Sequence, residues 1–151
     1  MRHGKTRLVA LGLLAVLLVS SAHLPVPSGD VASAASSDYQ LLAHLIAGEA
    51  RGEPYLGKVA VGAVVMNRVK SPLFPKTIAG VIYEPWAFTS VMDGQINLPP
   101  DPESYRAAQD ALSGWDPTYG ALYFYNPARV TSPWIYSRPI TTVIGNHYFA
   151  R

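Results

Sequence analysis

The chain has 151 residues, a formal net charge of +2 and no cysteine. The excess positive charge sits in the leader: from Ala35 onward nine Lys+Arg meet nine Asp+Glu, so no basic stripe is available for nucleic acid. Without cysteine there is no disulfide, no thiolate nucleophile and no Cys-ligated zinc.

Arg2, Lys5 and Arg7 precede an unbroken apolar run over residues 8–19, and small residues follow at Ser20, Ser21 and Ala22 and again at 32–35. That order is the layout of a secretory signal peptide. The run is short for a membrane span, which needs ~20 residues, so an uncleaved anchor is the weaker alternative. We expect residues 1–34 to be a signal peptide, cut near Ala34 or after Ala22. Residues 35–151 then form one domain, exported and without stable membrane anchoring.

The first helix is expected after Ser37, where Ser37 and Gln40 have the spacing of a capping box. Leu42, Leu45, Ile46 and Glu49 then recur at helical spacing and share one face. Glu49 is thus a carboxylate ending an apolar stripe. A carboxylate there must find a partner, keep a proton or face a cleft, and the last two describe a general acid. Gly52 suits the end of this helix. Glu53 and Pro54 suit the start of the next, with Glu53 near the N-cap and Pro54 at the first helical position. The second helix is expected over Tyr55–Lys70, with small residues at Ala60, Gly62 and Ala63 that admit a close neighbour. Asn67 points inward from it, either as a satisfied core amide or as a group that holds the Glu49 carboxyl.

Pro72 stops that helix, and residues 77–83 predict a short third one. Residues 86–100 show no long period and carry an Asp93-Gly94 turn. Trp86 and Phe88 either line a cleft or plug the edge of the core. Asp101 and Pro102 open a further helix to Ser113. Beyond it the composition changes to strand-forming aromatics: residues 121–125, 134–137 and 139–144 read as strand-like, interrupted by prolines. Gly145-Asn146 reads as a two-residue hairpin turn. Helices first and a small antiparallel sheet after give an α+β class.

The last third of the chain is crowded with aromatics, in a protein with nine tyrosines. Alternation puts Tyr123 and Tyr125 on one strand face, and tyrosine's apolar body and polar tip suit a wall for sugar rings. Asn126 ends that strand beside the same wall. Trp134 and, beside the turn, His147 are further candidates. The competing reading is a sheet packed on helices with tyrosine hydroxyls at its rim. Neither H-E-x-x-H nor G-x-S-x-G occurs, and only His44 and His147 lie beyond the leader. Chemistry would fall to carboxylates, with no metal and no cofactor.

AGEARGEPYLGKVAVGAVVMNRVKSPLFPKTIAGVI, FTSVMDGQI, GWDPTYGALYFYNP, TSPWIYSRPI and IGNHYFAR, in that order, resemble the catalytic domain of the SleB/CwlJ family of bacterial cell-wall hydrolases over residues 41–151. The resemblance implies a lysozyme/lytic-transglycosylase-like fold and action on peptidoglycan, chiefly spore cortex during germination, in the cell envelope or inner spore coat. It implies that Glu49, the first Glu of E-A-R-G-E, is the catalytic acid, and that glycan strands are the partner, with any accessory germination protein unidentified. Glu53 reads as a helix cap. The second motif adds Phe88 and Thr89 as substrate contacts. With Asp93 and Asp116 as the only other plausible acids, both in turns, lytic transglycosylation is favoured. Hydrolysis by a muramidase or glucosaminidase, or a non-catalytic glycan-binding module, are the alternatives.

Overall fold

The computed structural model describes residues 28–151, so most of the expected signal peptide lies outside the described residues. The first helix, α1, spans Ser28–Glu49 and starts earlier than its capping box suggests. After Gly29 nothing breaks the helix, and Ala32, Ala34 and Ala35 propagate it. Ser37 and Gln40 therefore lie inside a continuous helix. Residues 32–37 are exposed, and the buried stripe begins with Leu42, Leu45 and Ile46, all fully buried.

Helix α2, Tyr55–Lys70, is the centre of the molecule and keeps the bounds that its sequence suggests. Val59, Ala60, Val61, Val64 and Val65 are fully buried on several sides at once. Pro54 takes the N-cap position, not the first helical one, and no side chain caps this end. Glu53 is used elsewhere. Helix α3, Ile78–Ile82, is capped by Thr77, whose hydroxyl accepts the Gly80 amide at 3.0 Å. Helix α4, Thr89–Met92, is one turn within the stretch that showed no period, followed by a 3₁₀ turn at Gln95–Asn97. Helix α5, Pro102–Leu112, opens on Asp101, which accepts the Ser104 amide at 2.8 Å. The buried alanines 107, 108 and 111 of α5 join α1 and α2 in one apolar core.

Three short strands complete the fold: β1 Tyr123–Tyr125, β2 Ile140–Ile144 and β3 His147–Ala150. They pair antiparallel in the order β1-β3-β2, with Phe124 opposite Phe149 and Val143 opposite Tyr148. Fully buried Phe149 seats the sheet on Ala60 and Val64 of α2. One expected strand is absent. Residues 134–137 form a 3₁₀ turn, Ile135–Ser137, in which the Ser137 hydroxyl donates to the Trp134 carbonyl at 2.7 Å. Pro133 and Pro139 flank it and cannot donate to a ladder. The architecture is otherwise the α+β arrangement of a helical lobe followed by a small sheet.

Candidate active site

Glu49 is the last residue of α1. The helix stripe delivers it out of the core into a cavity of about 670 Å³, walled by the α1–α2 turn, α4, the end of β1 and the β2–β3 turn. That volume is ordinary for a ligand site, roughly 300–1,000 Å³. The carboxyl accepts one hydrogen bond from protein backbone, from the Ser90 amide at 2.7 Å. Burial pushes the Glu49 pKa up, against the pull of Ser90 and of the more distant Arg68, while Asp93 adds to the rise. The negative end of the α1 dipole acts in the same direction as burial. Both effects favour the protonated form of the carboxyl.

Gly48 makes this contact possible. A Cβ there would lie 2.6 Å from the Ser90 Cβ and 2.9 Å from its hydroxyl oxygen. The missing side chain lets α4 dock against α1, so the Ser90 amide reaches the carboxyl. The Ser90 hydroxyl is buried without a hydrogen-bond partner among the described residues, and it lies close enough to draw the Glu49 pKa down. Composition offers no sign of this pair, because Gly48 and Ser90 meet only through the fold.

A second carboxylate lines the same cavity. Glu53 caps no helix; it accepts from the Asn146 amide at 2.9 Å and from the Asn146 side chain at 3.0 Å. Those bonds pull its pKa down despite partial burial, and His147 and Arg129 act in the same direction. They also tie the β2–β3 turn to the α1–α2 turn. Gly145 is fixed by this clamp: its φ is +57°, and a Cβ there would overlap the Glu53 carboxylate and the Pro54 ring.

The two aspartates weighed as partners of Glu49 stand outside the cavity lining. Asp93 accepts the Gln95 amide at 3.1 Å and its side-chain amide at 2.7 Å. Asp116 accepts from Thr118, Gly120 and Asn67, bonds that hold its pKa low.

Of the other residues singled out from sequence, Thr89, Tyr125, Asn126 and His147 line the cavity with Glu49. Asn126 accepts the Ala128 amide at 2.9 Å and so shapes the loop after β1. Burial lowers the His147 pKa, against the pull of Glu53, and its Nδ1 is buried without a partner among the described residues. Tyr123 and Trp134 lie against a neighbouring cavity, with their rings edge to face at 5.2 Å. Tyr125 borders both. Phe88 belongs to the core, 3% exposed and packed on Phe124. Asn67 lines neither cavity: its amide donates to Asp116 at 2.9 Å and to the Ala121 carbonyl at 3.1 Å. It is a core amide, and the orienting bond to Glu49 comes from Ser90.

Residues 52–150 match the cell wall hydrolase family model. The spore cortex-lytic enzyme of Bacillus cereus is 55% identical over 115 residues, which cover 76% of this chain and 44% of that protein. The chain therefore spans under half the length of that curated relative. The cell wall hydrolase CwlJ of Bacillus subtilis is 29% identical over 126 residues, 79% of this chain and 88% of that protein. Among solved structures, the catalytic domain of the Bacillus cereus SleB protein is 54% identical with a TM-score of 0.72, covering 77% of this chain and 91% of that one. The catalytic domain of the germination-specific lytic transglycosylase SleB from Bacillus anthracis is 52% identical with a TM-score of 0.74, covering 83% of this chain and 100% of that one. By these matches the chain belongs to the cell wall hydrolase family.

Proposed function

We propose that this protein is an exported lytic transglycosylase that cuts the N-acetylmuramic acid–N-acetylglucosamine bond of peptidoglycan, with Glu49 as its sole acid and base. One observation carries the reading: of the two carboxylates in the cavity, Glu49 is poised to hold a proton and Glu53 is committed to Asn146.

In the first half-reaction the Glu49 carboxylic acid gives its proton to the glycosidic oxygen as the bond to C1 of the muramic acid breaks. Positive charge develops at that carbon, and the new carboxylate beside it opposes the charge. In the second half-reaction the carboxylate takes the proton of the C6 hydroxyl of the same sugar. O6 closes on C1 to give a 1,6-anhydro ring, and Glu49 is again protonated. No water enters. A water-using glycosidase usually works with a second carboxyl at a defined separation, and the second carboxyl of this cavity, Glu53, is tied to Asn146 by one hydrogen bond on each oxygen. The Ser90 amide fixes the Glu49 carboxyl and eases its charged state, while burial favours the neutral one, as suits a group used twice.

The substrate reading rests on relatives that are spore cortex-lytic enzymes and a lytic transglycosylase of germination. On this reading the protein acts in the cell envelope, on spore cortex or on vegetative wall. The test is digestion of purified cortex and vegetative sacculi followed by mass spectrometry. Anhydro-muramic ends are expected from the wild-type protein, and none from Glu49→Gln. Reducing ends would mean hydrolysis, and unchanged release by Glu49→Gln would remove Glu49 from the mechanism. Binding without release by wild type would indicate a glycan-binding module.

A further inference from the structure

Among the described residues, Ser90, Ser104 and Thr118 carry hydroxyls on wholly buried side chains, and each stands beside a carboxyl. Ser104 donates to Asp101 at 3.1 Å and Thr118 to Asp116 at 2.5 Å. Both of those carboxylates have pKa values held low. Ser90, 1% exposed, stands beside Glu49, and its hydroxyl donates to nothing. A helical serine often returns its hydroxyl to a carbonyl three or four residues back, and Ser90 does not do so. An unused buried donor is unfavourable. The donor that stays idle is the one whose carboxyl neighbour is pushed toward its protonated form.

The hydroxyl rests where Gly48 has no side chain, since a Cβ there would lie 2.9 Å from its oxygen. Gly48 directly precedes Glu49 on α1. The amide of the same serine already donates to the Glu49 carboxyl at 2.7 Å. Amide nitrogen and hydroxyl oxygen are three bonds apart, so a step between staggered χ1 positions re-aims the hydroxyl without moving the backbone. A protonated carboxyl has an O–H of its own, whereas an ionised one only accepts. Hydrogen bonds to the ionised form are also roughly twice as strong. The charged state is the one that draws the hydroxyl in.

That charge has no ion-pair partner. Among the described residues no Lys or Arg nitrogen lies within 4.0 Å of the Glu49 carboxyl. Arg68 of α2 and Asp93, at the end of α4, act on it through space with opposite signs. Arg51, Glu53, Arg129 and His147 face the same cavity, where the Ser90 amide supplies the hydrogen bond to Glu49.

We propose that Ser90 is a positioning residue whose hydroxyl turns to donate to the Glu49 carboxylate once that group has given up its proton. Glu49 then has one hydrogen bond from Ser90 as an acid and two as a base. Ser90 transfers no proton itself. It supports the charge between the two half-reactions and releases it when Glu49 is protonated again. This rests on the reading of Glu49 as acid and base in turn.

The experiment is muropeptide release by Ser90→Ala across pH, beside a ¹³C titration of the Glu49 carboxyl and denaturation at each pH. Without the hydroxyl the charged form loses support, so Glu49 is a weaker acid and its titration moves up. At low pH, where both proteins hold the proton, release should fall about tenfold, the counterpart in rate of one hydrogen bond to a charged group. As pH rises more of the variant stays protonated, so the gap should narrow. Stability should show the reverse order. At low pH Ser90→Ala is at least as stable as wild type, because it removes an unpaired donor. It then loses ground as pH rises, because its Glu49 binds the proton still more tightly when folded. Ser90→Thr keeps the hydroxyl, so it should keep the wild-type pH course even where its added methyl lowers the rate.

A loss by the same factor at every pH, with the Glu49 titration unmoved, would show a packing role and overturn the proposal. So would unchanged release and titration in Ser90→Ala. If Glu49→Gln retained release, the catalytic reading would fail, while a Glu49 titration moved up by Ser90→Ala would still establish the hydroxyl contact.

Discussion

The two ends of the α1–α2 turn each present a glutamate to one cavity, and the fold treats them in opposite ways. At the α1 end, Glu49 meets burial, one backbone donor and the negative pole of its helix, and its pKa rises. At the α2 end, Glu53 is less enclosed and accepts two hydrogen bonds from Asn146, and its pKa falls. The same side chain four residues apart is pushed toward its protonated form in one place and toward its charged form in the other. Environment, not residue type, assigns the roles.

The largest effect is expected from Glu49→Gln. General acid–base catalysis contributes about 10²–10⁴-fold, so muropeptide release should fall by at least that range while circular dichroism stays unchanged. Gly48→Ala strikes the support of Glu49. It forces a Cβ into Ser90, an overpacking that costs about 1–3 kcal/mol. Release should fall about tenfold as the Ser90 amide moves away, which steady-state assays on soluble glycan fragments would measure alongside a thermal melt.

The Glu53 end should respond mainly in stability. Asn146→Ala removes one of its two hydrogen bonds, for about 1 kcal/mol, read by urea denaturation. Gly145→Ala should cost more, because it adds an unfavourable φ to a clash with Glu53 and Pro54.

The smallest effects are in the pH dependence of stability, where the two carboxylates have opposite signs. Glu49 binds its proton more tightly when folded, so its contribution is present at low pH and is lost as pH rises from the unfolded to the folded pKa. Glu53 binds its proton less tightly when folded, so its contribution is present above the unfolded pKa and is lost as pH falls through the folded one. Denaturation across pH should therefore show Glu49→Gln gaining on wild type as pH rises, and Glu53→Gln losing ground.

The helical half of this account was open to sequence reasoning because its signals are local. Leu42, Leu45, Ile46 and Glu49 announce the stripe and its ending, and Pro54 and Lys70 bracket α2. The clamp was not open to it. Glu53 and Asn146 are 93 positions apart, and Ser90 and Glu49 are 41 apart, so neither pairing leaves a spacing to detect. Glu53-Pro54 has the look of a helix start, and that look hid the more distant partner. Residues 134–137 carry a strand-like composition in Trp, Ile and Tyr, but the flanking prolines decide the outcome. Asn67 does point inward, but a neighbour at Asp116 claims it. In α1, the capping box at Ser37 was overridden by an alanine-rich segment able to continue the helix.

The contrast between the two glutamates is tested most directly by a ¹³C NMR titration of the carboxyl carbons of Glu49 and Glu53 in the free wild-type protein, assigned with the Glu49→Gln and Glu53→Gln variants. The account predicts that Glu49 titrates above the ordinary glutamate range and Glu53 below it. A Glu49 midpoint at or below that of Glu53 would contradict it.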